Sequence, residues 1–257
     1  MRFFVIPPTN HMDLALKGTA GIYCLAHLYL QNENYRKFFI EQREKGVHVL
    51  LDNSAAEKSL VTQDSLIEIV KELNPHLVVA PDHLFDADKT LEEFHSFVDR
   101  MNKEGLTDTK IFACPQGSTK EEWIRCYKEM LNEPLVRKIG LSKISVPKAF
   151  LGECGTDQGI LEGRHLCVDY LMKNNLLVKP IHCLGMGDPR EYSYYKNIPM
   201  IETTDSCYTV LAAYNGIDFT NDDFRRIPTP HEYFDYQLNN DQLEIAERNI
   251  SWMKKNL

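Results

Sequence analysis

The chain has 257 residues, of which 43% are hydrophobic and 26% are charged, and its formal net charge is −8. This is an ordinary composition for a globular protein of one large domain or two small ones. The acidic balance argues against a protein whose main partner is a long nucleic-acid backbone, because such partners reward dense Lys and Arg. A local basic groove is still compatible with this net charge.

The apolar segments are short. Residues 1–10 have too short an apolar stretch for a signal peptide, and no run of about 18 apolar residues is present to span a membrane. The 7 cysteines form no C-x-x-C pair, and several of them lie inside apolar runs, which is typical of reduced core cysteines. We therefore expect a soluble, cytoplasmic protein without a membrane partner.

Short apolar runs alternate with longer helical patterns along the chain, and the runs read as buried parallel strands because they are apolar almost throughout. The predicted strands are residues 2–7, 47–52, 76–82, 110–116, 138–142, 179–185 and 199–205. The predicted helices between them are residues 62–74, 90–105, 118–130, 159–174 and 188–197. A last amphipathic helix is predicted near the end of the chain, over residues 241–255.

This alternation predicts an α/β fold, a (β/α)8 TIM-type barrel, and the length agrees with the roughly 250 residues of such barrels. We expect residues 1–257 to form a single barrel domain that ends in the C-terminal amphipathic helix. The eighth strand is the weakest part of the pattern, since only residues 216–219 are available for it, so the barrel is expected to be irregular there. An open, doubly wound sheet is the alternative.

In a barrel, functional residues lie at the carboxyl ends of the strands. Several predicted strands end in a carboxylate or an amide, which each alone could be explained as a helix cap. Taken together they indicate one shared site. The residues at these ends are Asp52, Asn53, Asp82, Gln116, Ser142, Lys143, Gly185, Glu202 and Asp205.

The motifs predict neither a metal site nor a bound cofactor. The histidines are scattered without an H-E-x-x-H pattern, and His182 alternates with apolar residues like a buried barrel residue. No phosphate-binding P-loop occurs, although the turn CLGMGDP at residues 183–189 could present backbone N–H groups to a ligand. Carboxylates and amides suit chemistry at a glycosidic carbon, where one carboxylate attacks and another manages protons.

In order and spacing, short motifs between residues 47 and 219 resemble the tRNA-guanine transglycosylase superfamily, including its shorter archaeal-like and phage-encoded relatives that act on deazaguanine bases. LLDNSAAE is similar to the strand that ends in Asp-Ser-Gly, VVAPD to the base-recognising strand, FACPQGST to the Val-Gln-Gly strand, and KIGLS to the Gly-Gly-Leu turn. The most specific part is HCLGMGDPREYSYY followed by TTDSCYTVLAAYNG.

The resemblance implies roles for individual residues. Asp205 would attack C1′ of the sugar, Asp52 would be the neighbouring acid/base or base-contacting carboxylate, and Asp82 and Gln116 would read a purine-like edge. A gapless alignment places Glu202 at the nucleophile position instead, and both carboxylates are expected near the same end of the strand. The further substrate contacts are Asn53, Gly140, Leu141, Ser142, Lys143, Gly185 and Met186.

The chain departs from the family pattern in two places. It lacks the Cys-x-Cys-x-x-Cys…His zinc subdomain of the tRNA-acting enzymes, and Ser54 replaces the glycine of Asp-Ser-Gly. We therefore expect a nucleobase, nucleotide or DNA substrate rather than tRNA. A modest phosphate-contacting basic rim could come from a set of cationic residues, although a solvated charged face accounts better for most of them. The residues are Arg125, Arg137, Lys138, Lys143, Lys148, Arg225 and Arg226.

Three readings of the function stay open. In the first, an aspartate nucleophile cleaves or exchanges an N-glycosidic bond. In the second, a catalytically silent barrel binds a base or nucleotide. In the third, a metal-free lyase or aldolase forms a Schiff base on Lys143. The patterns leave open whether a second base or water resolves the intermediate, and whether the chain forms a homodimer.

Overall fold

The computed structural model describes residues 1–55, 61–152, 156–185, 190–221, 224 and 227–257. Within them lies one eight-stranded sheet in the order β1-β8-β7-β6-β5-β4-β3-β2. The strands are β1 Arg2–Val5, β2 Ile22–Leu25, β3 Val49–Asp52, β4 Leu77–Val79, β5 Lys110–Ala113, β6 Val136–Leu141, β7 Ile181–Cys183 and β8 Ile201–Ser206.

The strand order is that of a (β/α)8 TIM-type barrel, which confirms the predicted fold. From β2 to β8 each strand neighbours the next one in the chain, β1 lies beside β8, and the pairs β1–β8, β3–β4, β4–β5 and β5–β6 are parallel. The two ends of the order are β1 and β2, so the irregular seam lies there.

Helices follow most strands in the described part of the chain. They are α1 Ala26–Gln31, α2 Glu33–Glu44, α3 Gln63–Leu73, α4 Ala87–Lys103, α5 Lys120–Leu131, α6 Ser145–Leu151, α7 Asp157–Lys173, α8 Arg190–Tyr195, α9 Tyr208–Tyr214 and α10 Asn240–Asn256. Side-chain caps fix where several of them begin. Thr119 and Glu122 form a capping box at the start of α5, and Asn239 and Gln242 form another at α10.

Two parts of the sequence prediction need correction. Strand β2 was not predicted, and residues 216–219 are not a strand. Gly216 has a positive φ of 72° in the turn after α9, and Phe219–Asn221 is a 3-10 helix. The N–H of Phe219 donates to Oδ1 of Asn249 at 2.8 Å, which satisfies this backbone group without a neighbouring strand. The eighth strand is Ile201–Ser206, which the prediction counted as the seventh.

The residues group into two compact units, Met1–Tyr23 with Cys183–Leu257 (the discontinuous unit) and Cys24–His182 (the central unit). The expectation of a single domain over residues 1–257 stays a prediction. The core of the central unit includes the apolar face of α3, where Leu66, Ile67, Ile69, Val70 and Leu73 are all buried.

The discontinuous unit joins residues that are far apart in the sequence. β1 pairs with β8 from Arg2↔Thr203 to Val5↔Ser206. The hydroxyl of Tyr233 donates to the carbonyl of Ile6 at 2.6 Å, and the N–H of Leu238 donates to Nε2 of His11 at 2.8 Å. These bonds connect the beginning of the chain to the segment that precedes α10.

Candidate functional site

Three polar side chains meet at the carboxyl ends of β3, β4 and β5, within the central unit. Nδ2 of Asn53 donates to Oδ1 of Asp82 at 2.7 Å, and Nε2 of Gln116 donates to Oδ2 at 2.5 Å. We call Asn53, Asp82 and Gln116 the carboxamide cluster. The sequence predicted that these three strand ends would converge, and the structure confirms it for these residues.

The orientation of the two amides follows from their other hydrogen bonds. Asn53 also donates through Nδ2 to the carbonyl of Ala80 at 2.8 Å and accepts through Oδ1 from the N–H of Ala55 at 2.9 Å. Oε1 of Gln116 lies 3.4 Å from the N–H of Phe85. Asn53 and Gln116 are buried, while Asp82 keeps partial exposure. Asp82 is therefore the most exposed residue of the cluster.

Burial determines the acidity of this carboxyl group. It raises the pKa of Asp82 above its ordinary value, even though the hydrogen bonds from Asn53 and Gln116 act in the opposite direction. A carboxyl group with a pKa shifted by burial, held at the carboxyl end of a strand, is a candidate functional group.

A second group of contacts lies beside this cluster, at the ends of β2 and β3. Oδ1 of Asp52 accepts the N–H of Ser54 at 3.1 Å. Oγ of Ser54 lies 3.2 Å from the backbone nitrogen of His27 and 2.9 Å from Nδ1 of its ring. Ser54 has φ 61°, in the left-handed region that glycine favours, so it keeps a glycine-like backbone at the position where the family pattern has glycine.

His27 was missed by the sequence analysis. Its position in the second residue of α1 follows directly from β2, and β2 was not recognised. Recognition of the run IYCL at residues 22–25 as a strand would have placed His27 at a strand end with Asp52 and Asn53.

The polar groups at the end of β6 form hydrogen bonds with other residues of the protein. The carbonyl of Leu141 accepts from Nη1 of Arg164 at 3.3 Å. Oγ of Ser142 accepts the N–H groups of Ile144 at 3.1 Å and Ser145 at 3.2 Å at the start of α6. Gly140 and Leu141 are buried, and Lys143 is partly exposed in the turn. The expected contact between this turn and a substrate carbonyl stays a prediction.

The predicted basic rim is wrong for Lys138, which is only 6% exposed. Lys138 is the register partner of Phe112, whose ring lies 5.2 Å from the buried ring of His182. Of the other rim residues, Arg125 pairs with Asp88 at 2.6 Å and Nζ of Lys148 donates to the carbonyl of Gly152 at 3.1 Å. Arg137 is exposed, whereas Arg225, Arg226 and the predicted contact Met186 lie outside the described residues.

The discontinuous unit holds the two carboxylates of β8. Asp205, at the carboxyl end, is 6% exposed, and its Oδ1 accepts the N–H of Gly185 at 2.8 Å. Gly185 has φ 62°, so the turn after β7 needs a residue that tolerates the left-handed region. The hydroxyl of Thr204 donates to the carbonyl of Cys183 at 2.8 Å. Gly185 and Asp205, two of the predicted strand-end residues, therefore lie in contact within the discontinuous unit.

Glu202 does not lie at that end. It is the second residue of β8, and its carboxylate lies 3.8 Å from Nη2 of Arg2, the first residue of β1. At about 3.3 Å per residue of a strand, three positions separate it from Asp205 by roughly 10 Å. The expectation that both carboxylates share one end of the strand is wrong, because Glu202 belongs to the amino end.

Comparison with models of known protein families and with curated protein sequences finds no match to the chain. Within the described residues, no group of three or more His, Cys, Asp or Glu side chains is arranged to hold a metal ion. The six described cysteines form no disulfide bond. Among the described helices, none is long and apolar enough to cross a membrane.

Proposed function

We propose that the protein cleaves or exchanges the N-glycosidic bond of a purine-like or 7-deazaguanine-type base, with Asp205 as the nucleophile. The observation that carries this proposal is the carboxamide cluster. It fixes the carboxyl group of Asp82, a partly exposed residue, between two amide donors. When ionised, this carboxylate can accept N–H groups from the edge of a heterocyclic base, because each oxygen accepts more than one hydrogen bond.

The role of Asp205 rests on its position and on its bond to Gly185. A backbone N–H at 2.8 Å favours the ionised carboxylate, which is the form that attacks. In the proposed step, an oxygen of Asp205 forms a bond to C1′ of the sugar, and the bond from C1′ to the base nitrogen breaks. The electron pair stays with the base, which takes up a proton, and Asp52 is proposed as the group that supplies it.

The proposed intermediate is a glycosyl ester of Asp205. A second base resolves it in an exchange reaction, and water resolves it in a hydrolysis. The proposed substrate is a nucleotide, a nucleoside or DNA, and the net charge of −8 favours the smaller of these.

The test is intact-mass analysis combined with assay of released base, after incubation with DNA, tRNA and a nucleotide panel, with and without 7-deazaguanine bases. Wild type should release base and form an adduct on Asp205. Asp205→Asn should lose turnover by at least about 10³-fold, as expected when a nucleophile is removed. Glu202→Gln is the matched control, since it removes a carboxylate of the same strand at the other end.

Other outcomes point to the rival functions. Base release that persists in Asp205→Asn and disappears in Glu202→Gln would refute the assignment of the nucleophile. Binding of a base without release or adduct would indicate a silent binding protein. A borohydride-trapped adduct on Lys143 would indicate a lyase or aldolase and would contradict the glycosidic mechanism.

A further inference from the structure

Two sets of hydrogen bonds lie side by side at the carboxyl ends of β2, β3, β4 and β5. In the first set, His27 after β2 contacts Ser54 after β3. In the second set, Asn53, which precedes Ser54 in the chain, donates to Asp82 after β4, and Gln116 after β5 donates to Asp82 as well. His27 and Asp82 are both partly exposed, whereas Ser54, Asn53 and Gln116 are buried. The buried residues Ser54 and Asn53 therefore lie between the two partly exposed residues, His27 and Asp82.

Oγ of Ser54 contacts both the backbone and the ring of His27. The hydroxyl oxygen accepts the backbone N–H of His27, and the hydroxyl can donate its hydrogen to Nδ1, which lies 2.9 Å away. A ring that accepts at Nδ1 and is neutral carries its hydrogen on Nε2. Burial lowers the pKa of His27, which favours this neutral form.

Helix capping alone does not account for Ser54. A hydroxyl that accepts the N–H of His27 satisfies a donor in the first turn of α1, which is a structural role. The ring contact is additional, and it comes with a backbone cost, because Ser54 holds φ 61° where glycine would be unstrained. Glycine would lack the hydroxyl that orients the imidazole.

We propose that His27 contacts the base directly and donates a hydrogen bond through Nε2–H to a carbonyl or ring nitrogen, while Ser54 is its positioning residue. This inference rests on the proposed function. The site then offers an acceptor at Asp82 and a donor at His27, which suits a purine-like base, because such a base has both N–H donors and O or N acceptors on its edges. His27 thus determines specificity for an acceptor on the base.

Two substitutions of His27 distinguish the roles of its two ring nitrogens. Glutamine places an amide N–H near the position of Nε2, whereas asparagine places its amide near the position of Nδ1 and has no donor at Nε2. We expect His27→Asn to weaken the binding of guanine about tenfold or more, as expected for a lost hydrogen bond, and His27→Gln to restore part of it. Isothermal titration with guanine, 7-deazaguanine and 2-aminopurine measures this, since the last two lack N7 and the 6-oxo acceptor, respectively.

Wild type should discriminate against one of these two analogues, and His27→Asn should lose that discrimination. Equal affinities of wild type and His27→Asn for all three bases would overturn the role of His27. If wild type binds none of these bases, this inference and the base-binding part of the proposed function both fail. Base binding without glycosidic chemistry would contradict the proposed function alone.

Ser54→Ala tests the positioning role if His27→Asn does not fold. ¹⁵N chemical shifts of the His27 ring should move from a single Nε2–H tautomer towards a mixture, and the affinity for guanine should fall. An unchanged tautomer with unchanged affinity would contradict the inference.

Discussion

Two buried asparagines, one in each unit, use their side chains fully and for different purposes. Asn249 on α10 donates to the carbonyls of Thr209 at 3.1 Å and Ile217 at 3.0 Å, and accepts the N–H of Phe219. Asn53 has the same number of partners, but one of them is the carboxylate of Asp82.

The difference between these asparagines separates stability from function. Every partner of Asn249 is a backbone group, so this side chain fixes the path of the chain after α9. Asn53 instead holds an ionisable group, the carboxyl of the partly exposed residue Asp82, at the end of a strand where ligands bind in barrels. A buried amide side chain therefore indicates a candidate site when it orients an ionisable side chain. The following substitutions test this difference between Asn249 and Asn53.

The largest effect on stability is expected for Asn249→Leu. Leucine has a similar size but leaves three buried backbone groups without their partner, so we expect the free energy of unfolding to fall by about 3–5 kcal/mol. Urea denaturation measures this. Asn256→Leu near the exposed end of the same helix is the control and should change it by less than about 0.5 kcal/mol. Similar losses in both variants would show that Asn249 has no special role.

Asn53→Leu should have a smaller effect on stability and a clear effect on Asp82. It leaves the carbonyl of Ala80 and the N–H of Ala55 without their partner, which should cost about 1–3 kcal/mol. It also removes a hydrogen bond that lowers the pKa of Asp82, so that pKa should rise further. Side-chain carboxyl ¹³C shifts followed during a pH titration measure the change, and an unchanged pKa would contradict the cluster geometry.

The raised pKa of Asp82 predicts a dependence of stability on pH. An aspartate in the unfolded chain has a pKa of about 3.9. Between that value and the raised pKa, the folded protein binds more protons at Asp82 than the unfolded chain, so its free energy of unfolding falls as pH rises. The contribution is on the order of 1 kcal/mol per pH unit within this window. Asp82→Asn should lack this fall, as urea denaturation at several pH values will show.

The same ionisation should control ligand binding. The affinity for a base that donates N–H groups should increase as pH rises through the raised pKa of Asp82, because the ionised carboxylate is the better acceptor. If the affinity of wild type for the base does not change over this pH range, Asp82 takes no part in base recognition.

The smallest effect is expected for Glu202→Gln. The carboxylate lies 3.8 Å from Arg2, and side-chain exposure is 60% for Arg2 and 36% for Glu202. Ion pairs of this kind contribute about 0–1 kcal/mol, so we expect a change below about 0.5 kcal/mol and unaltered base release. A large loss of either would show that the amino end of β8 takes part in function.

The sequence patterns predicted the parts of the fold that depend on periodicity. Apolar runs and capped amphipathic helices identified β1, β3 to β8 and the helices α3, α4, α5, α7, α8 and α10, because buried parallel strands and helix caps leave local signals. Helix α2, Glu33–Glu44, was not predicted. Strand β2 has four buried residues after a 3-10 segment, Thr9–Lys17, and such a short run has little periodicity of its own. The run at residues 216–219 is apolar for another reason, since Phe219 packs under α10.

The candidate site was predictable where a side chain sits at a strand end. Asp82, Gln116 and Asp205 follow this rule. The prediction misplaced Glu202. It assigned residues 202–205 to one end of the strand, whereas β8 begins at Ile201 and Glu202 is its second residue. Lys138 was assigned to the surface from its charge, whereas its register opposite Phe112 buries it. The contact of Ser54 with His27 depends on a left-handed φ and a neighbouring strand, neither of which a single sequence displays.

The discontinuous unit has a consequence for the order of events during synthesis on the ribosome. Phe3 and Phe4 belong to β1, whose partner strand ends at Ser206, and Tyr233 supplies the bond to Ile6. These apolar residues are translated roughly 200 residues before their partners, and the whole central unit lies between them in the sequence. Contacts between residues so far apart in the sequence form slowly because a long loop must close. The nascent β1 segment is therefore the part of the chain for which we expect the longest dependence on chaperones.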